Sequence, residues 1–457
     1  MTMIIAILVF LTFWGLTMDW GALCEFLLLL AVGWGIIQLV CKKNNRAYSQ
    51  RIYIILMLCY GSYALLCHAY RMANGFEAIG SMDGSGYYLP CTMELFDSRS
   101  LSELIARINE RTRYDGGGTI FVYFVMIAKL ALNYLHMDLH LAIQLSLMPF
   151  AALICVVEYH LLRCFDIPAP SAYKWSIGFG VGSALFWLSS FIVRDLPIVL
   201  AYFLISYLIF SPAPRWQRVL WLGLGGTFLA ASIRLSSGLG MVPLLLLAVF
   251  CDSKKHTIKL WQLLLCIAVR LSMGLINVFT EETTRIYNTY MEIELMDQEG
   301  NSLLSSFNVL PFGFSQFVKT VYAQFHPIPV WRNMFATAAT GFRDYAYNIT
   351  KFPDIWVVFF RITGMVVLFY GCLKTELRNK IFENKPLLYS FSYIVFWMLL
   401  QASTIEERRK LGGYAILFLV IVLFWREMAP ASRIRALLLS FALFMLVQLT
   451  YLLKTVL

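Results

Sequence analysis

Apolar residues in this chain gather into long unbroken runs, not into the alternation of strands or the seven-residue repeat of a coiled coil. Roughly a dozen runs reach about 20 residues, the length a helix needs to cross the hydrocarbon of a bilayer. The polar gaps between them take turns in character. Cys41-Lys42-Lys43-Asn44-Asn45-Arg46, Lys254-Lys255, Lys374 to Lys385 and Arg426 to Arg435 are basic. The intervening gaps carry acids, aromatic rings and isolated arginines. Basic loops stay on the cytoplasmic side, so the second set faces outward and holds any chemistry.

The pattern predicts helices at about Met3–Met18, Gly21–Cys41 and Ile52–Tyr70, and then a long outer segment. The next run, Thr119 to Leu135, decides the topology. If it crossed the membrane, Arg163 and Lys174 would fall outside, against the charge rule. If it lies in the interface plane, every later basic gap falls inside, and Lys129 with its neighbouring rings suits that position. Further spans follow at about His140–Leu162, Trp175–Phe191, Leu196–Phe210, Val219–Ile233, Leu235–Cys251, Leu260–Phe279, Ile355–Cys372, Leu387–Ala402, Tyr414–Trp425 and Ala436–Leu453. The expectation is an all-α polytopic membrane protein of about thirteen transmembrane helices. It forms a single integral membrane domain over residues 1–457. A first outer loop with the interfacial helix spans 71–139, and a second outer loop spans 280–352. The first run has no basic leader and no convincing cleavage site, so it reads as a retained helix.

Composition narrows the function. Hydrophobic residues make up 60% of the 457 positions and the mean hydropathy is +0.69. The net charge of +10 is spread over short gaps, which argues against nucleic acid as a partner. The ten cysteines lie mostly inside apolar runs without metal-ligand spacing and read as small core residues. No glycine-rich phosphate loop, His/Cys cluster or nucleophile elbow occurs, so neither metal nor cofactor is expected.

Candidate chemistry lies in the outer gaps. Asp83 sits in Ser81-Met82-Asp83-Gly84-Ser85-Gly86 ahead of Tyr87-Tyr88, a carboxylate beside two rings on which a sugar can stack. It is a candidate general base toward a hydroxyl, and equally a turn former. Arg194-Asp195 lies in a short outer hairpin, Ser189 to Pro197. A charged pair so near hydrocarbon is costly unless paired or wet, although Asp195 and Pro197 also make an ordinary helix start. Arg234, Arg270 and Arg361 recur at plausible depths on the same side, and Arg408-Arg409 fall in the five charges Glu406 to Lys410 of a late outer loop. Arginine grips phosphate through a planar fork that stays charged where water is scarce. His326 and Arg343-Asp344-Tyr345 are further polar points of the second outer loop.

These residues resemble a known group: the O-antigen and exopolysaccharide repeat-unit polymerases of the Wzy and EpsG-like type, within the GT-C class of polytopic glycosyltransferases. The resemblance rests on Asp83 with Tyr87-Tyr88, on Phe191-Ile192-Val193-Arg194-Asp195, on Arg234, and on Arg408-Arg409. The first loop lacks the clean acidic pair of protein mannosyltransferases. The resemblance implies a bacterial inner-membrane enzyme with its active face in the periplasm. Its substrates would be a polyprenyl-(di)phosphate-linked glycan donor and a glycan acceptor, and other polysaccharide-assembly membrane proteins are expected partners. Phosphate would fall to Arg194, Arg234, Arg270, Arg361, Arg408 and Arg409, base chemistry to Asp83 or Asp195, and sugar contacts to Tyr87, Tyr88 and His326. The same residues admit a transferase adding one sugar to a lipid, protein or O-antigen acceptor. A flippase or other transporter, or a scaffold or receptor, belongs to a different class.

Overall fold

A computed structural model of the chain describes residues 2–75, 84–111, 118–212, 218–233, 235–250, 307–326, 352–400 and 410–456, with a few isolated positions between them. Every regular element among these residues is helical. Five helices are long and apolar enough to cross a membrane: Trp20–Val40, Lys43–Asn74, Leu139–Arg163, Asp354–Leu373 and Pro430–Thr450. The described residues divide into two compact units. One holds residues up to Phe203 with 232, 233, 235 and 352–357, and the other holds the remainder.

The first unit is built on α3 (Lys43–Asn74) and α7 (Leu139–Arg163), which pack along one another. Around them lie α1 (Thr2–Thr17), α2 (Trp20–Val40) and α8 (Ala169–Gly182). About four-fifths of the most apolar window of α3 and of α7 is buried (78% in each), against 22% for α2. The first two therefore form the core, while Leu27, Leu28, Val32 and Leu39 of α2 remain exposed. Asp19 starts α2 by accepting the Ala22 N–H at 2.9 Å, and Gly75 ends α3 at φ 65°, where a side chain would be strained.

Between apolar helices in lipid the hydrophobic drive is weak, so close backbone approach and hydrogen bonds supply the cohesion. Gly33 lets Tyr53 lie against α2: a Cβ there would run into the Tyr53 ring and hydroxyl. The reward is a hydrogen bond from the buried Tyr53 hydroxyl to the Leu29 carbonyl at 2.8 Å. Gly180 does the same for Leu56, which a Cβ would approach to 2.7 Å, and its carbonyl accepts from Tyr60 at 3.1 Å.

The segment between α3 and α7 contains more regular structure than its sequence announced. A π-helical turn at Gly84–Tyr88 leads into α4 (Leu89–Phe96), followed by α5 (Leu101–Arg111). The next element, α6 (Thr119–Leu130), continues as a π-helical turn through Leu135 and packs on α4. Lys129 anchors it by donating to the Ser98 carbonyl at 2.5 Å. The run expected as one span over Trp175–Phe191 is broken. α8 stops at Gly182, Ser183 is extended, and a single turn, α9 (Leu185–Leu188), follows. The Ser183 hydroxyl accepts the Leu185 N–H at 3.3 Å and so caps the new turn. Asp195 then opens α10 (Asp195–Phe210).

The remaining helices are α11 (Gly225–Ile233), α12 (Leu235–Phe250), α13 (Phe312–Ala323), α14 (Asp354–Leu373), α15 (Thr375–Phe382), α16 (Lys385–Leu400), α17 (Tyr414–Glu427) and α18 (Pro430–Val456). In the second unit, α16 and α17 pack together, and Gly371 of α14 leaves room for the Phe424 ring. Polar ties join distant segments: the Val330 N–H donates to Gln448 at 2.9 Å and Tyr393 donates to the Gly240 carbonyl at 3.2 Å. The expected Leu260–Phe279 span and most of the 280–352 loop lie outside the described residues.

Replacing Gly33 with alanine forces α2 and α3 apart at Tyr53. The variant is expected to be about 1–3 kcal/mol less stable, read as a lower midpoint of thermal unfolding in detergent, with Gly35→Ala (nothing within 4 Å of its added Cβ) unaffected.

Candidate functional site

Polar side chains collect where the C-terminal end of α3 meets the N-terminal end of α7. Asp138 caps α7, with Oδ1 accepting the Leu141 N–H at 2.9 Å. Its Oδ2 lies 2.7 Å from Arg71 Nη2, and the same nitrogen is 3.3 Å from His68 Nδ1. Burial pushes the Asp138 carboxyl up, but the Arg71 charge and the Leu141 N–H outweigh it and hold the group below the ordinary carboxylate range. A buried arginine is tolerated here because its counter-ion is itself fixed by a helix cap. His140, within electrostatic reach of Arg71, Asp138 and His68, is buried with neither ring nitrogen hydrogen-bonded.

One helical turn beyond His140, Gln144 donates to the Ser190 carbonyl. This ties α7 to the segment that precedes Arg194-Asp195. The Gln144 Oε1 and the Ser190 hydroxyl are both buried without a hydrogen-bond partner. Asp195 is 7% exposed and stands at the first turn of α10, where the helix dipole favours a carboxylate. Arg194, immediately before it, is half-buried.

The turn carrying the paired tyrosines reaches the same segment. A Cβ on Gly84 would lie 3.3 Å from the Ile192 side chain and 3.7 Å from its carbonyl oxygen, so the turn packs closely on that residue. Tyr87 is 39% exposed, its ring 5.6 Å from Phe121. Tyr88 is buried, its ring edge-on to Phe124 at 5.7 Å and tilted against Phe121. Of the two rings expected to stack on a sugar, Tyr88 is therefore a packing residue and only Tyr87 presents a surface. Asp83 lies outside the described residues, next in sequence to Gly84.

In the second unit the structure brings together Arg361 and His326. Arg361 sits on α14, 6% exposed, and donates to the His326 carbonyl at 2.6 Å and the Ala323 carbonyl at 3.3 Å. Ala323 ends α13, so the guanidinium complements the negative end of that helix. His326 contributes through its backbone. Beside it, Tyr414 donates to Gln324 at 2.8 Å. Arg234, Arg270, Arg408 and Arg409 lie outside the described residues, as do Arg343, Asp344 and Tyr345.

His68, Arg71, Asp138, His140 and Gln144 were not singled out in the sequence, and Lys410 was named only as the last of five consecutive charges. The usable signals were the His68/Arg71 spacing on one helix face and the Asp138/His140/Gln144 series opening the next. Among the described residues no group of three His, Cys, Asp or Glu side chains is placed to hold a metal ion. No family model, curated protein or solved structure matches this chain.

Asp138→Asn keeps a competent helix cap but loses the ion pair, and is expected to destabilise the protein by about 1–3 kcal/mol near neutral pH. A carboxyl whose folded pKa is depressed stabilises above its unfolded value and loses that contribution as pH falls through the folded one. The gap in unfolding midpoint between wild type and the variant should therefore be full at pH 7 and close as the pH drops below about 4.

Proposed function

We propose that this chain is a membrane glycosyltransferase of about thirteen spans, joining sugars from a polyprenyl-(di)phosphate-linked donor on the outer side of a bacterial plasma membrane. Polymerisation of polysaccharide repeat units is the favoured reaction. The observation that carries the reading is the seating of Gly84 on Ile192. It sets the turn bearing Tyr87, with Asp83 adjoining in sequence, against the segment bearing Arg194 and Asp195. The segment on which the Tyr87 turn packs thus carries a carboxylate and a cation, the kinds of group that a lipid-linked glycosyl transfer requires.

In that reaction the acceptor oxygen forms a bond to the anomeric carbon while the bond from that carbon to the phosphate oxygen breaks. The hydroxyl proton passes to a carboxylate, Asp83 or Asp195, which acts as base or holds the acceptor. The electron pair leaves with the phosphate, whose growing charge is met by fixed cations in a poorly screened site. Arg194 and Arg234 are the proposed phosphate contacts of the first unit, and Arg270, Arg361, Arg408 and Arg409 those of the second. The two carbonyl bonds of Arg361 hold it as a preorganised cation. Tyr87 offers its ring to a sugar. Holding both substrates in line supplies much of the rate.

A second reading draws on two buried acids. Glu25 in α2 and Glu158 in α7 are about 1% exposed or less, and their carboxyl oxygens have no hydrogen-bond partner. Intramembrane carboxyls of this kind also serve secondary transporters. Incubating the purified protein with polyprenyl-diphosphate-linked oligosaccharide separates the two. A ladder of longer lipid-linked glycans, lost in Arg194→Ala and reduced at least a hundredfold in Asp195→Asn if Asp195 is the base (about 10²–10⁴ for general base catalysis), is expected. Unchanged lipid that appears in the opposite leaflet of liposomes would instead establish transport.

A further inference from the structure

The second unit carries an open cavity of about 650 Å³ where α15 turns into α16. It lies at the end that the basic gaps Lys374 to Lys385 and Arg426 to Arg435 mark as cytoplasmic. α14 stops there at Leu373, whose side chain is 79% exposed. Two rings mark the level of the membrane boundary, where tyrosine and tryptophan collect. The Lys374 ammonium lies 5.9 Å from the centre of the Tyr370 ring, and the Arg433 guanidinium 5.9 Å from that of Trp425. Arg378 ties the cavity wall to the same level by donating to the Cys372 carbonyl at 3.3 Å.

Three cations, Arg378, Lys380 and Lys385, line the cavity against one acid, Glu383. They are not equivalent. Lys380 is committed, with its ammonium 2.5 Å from Glu427, which Arg426 also meets at 3.0 Å. Arg378 spends one N–H on a carbonyl and keeps the rest of its fork. Lys385 makes no side-chain hydrogen bond, and among the described residues neither it nor Arg378 has a carboxylate within ion-pair distance. The Asn379 amide sits beside them, and Phe382 and Leu388 supply the apolar part of the wall.

We propose that this cavity holds the headgroup of an anionic phospholipid, a hydroxylated phosphodiester of the phosphatidylglycerol kind. Arg378 and Lys385 would take the phosphate oxygens in charge-assisted hydrogen bonds. Asn379 and Glu383 would meet the headgroup hydroxyls, and Phe382 and Leu388 the glycerol backbone where the acyl chains begin. Basic pockets at the cytoplasmic ends of spanning helices suit such headgroups, because the cations meet the anionic leaflet at its surface. A choline headgroup fits poorly, since it has no hydroxyl to offer and would bring a further cation to this wall. The assignment is independent of the transferase reading.

Purified full-length protein in detergent is titrated with phosphatidylglycerol, with phosphatidylcholine, and with glycerophosphoglycerol, the soluble headgroup without acyl chains. Native mass spectrometry reads the affinity for the first molecule bound, and unfolding midpoints are recorded for every variant. In the double variant Arg378→Gln/Lys385→Gln, phosphatidylglycerol is expected to bind about tenfold more weakly, the scale of two cations lost at a membrane surface. Phosphatidylcholine should bind wild type more weakly than phosphatidylglycerol and be indifferent to the substitutions. Equal binding of the two lipids by wild type, or equal phosphatidylglycerol binding by wild type and the double variant, overturns the site. Glycerophosphoglycerol binding as tightly as the lipid overturns the membrane lipid as the occupant. Should the loss of the Arg378 carbonyl bond lower the unfolding midpoint, Lys385→Gln alone decides, because it removes no bond. About threefold weaker phosphatidylglycerol binding is then expected, and unchanged affinity overturns the proposal.

Discussion

Every polar group placed between apolar helices must find a partner inside the protein, because the hydrocarbon offers none. The pairing of Arg71 with Asp138 meets that demand at the centre of the first unit. It fastens the end of α3 to the start of α7, the two helices on which the rest of the unit packs. The same carboxylate serves as helix cap through one oxygen and as counter-ion through the other. His140 and Gln144 continue from that turn, and the Gln144 side chain reaches Ser190. One ion pair thereby fixes the position of the loop that carries Arg194 and Asp195.

Cohesion and chemistry draw on the same kinds of residue here. Tyr53 and Tyr60 spend their hydroxyls on backbone carbonyls that glycines have brought within reach. Arg361 does likewise at the end of α13. Lys410, Glu25 and Glu158 do not: their charged ends are buried with no hydrogen bond. That contrast separates polar groups that hold the fold together from polar groups whose ends stay buried and unsatisfied.

Run length alone located α1, α2, α7 and α14 to within a residue or two at each end, while α18 begins at Pro430, well before the expected Ala436. It failed at Trp175–Phe191, which carries no charge but where Gly182-Ser183 break the helix and Ser183 starts a new turn. Arg194-Asp195 stood out as charges amid hydrophobic neighbours, and the structure seats the Gly84 turn beside them. Two adjacent rings look alike in sequence, and only packing shows that Tyr88 is buried against Phe124 while Tyr87 stays exposed. Lys410 was passed over as one of five charges in a row. What marks it is its burial, and burial depends on partners far away along the chain.

The sidedness of the chain underlies the whole account and is directly measurable. In a background with the native cysteines replaced, single cysteines at Asn44 and Tyr134, both exposed positions, are labelled in intact cells with a membrane-impermeant maleimide. The account predicts modification at 134 and none at 44 until the membrane is opened. Labelling of both positions, or of 44 alone, would contradict the placement of the Arg194–Asp195 end on the outer face.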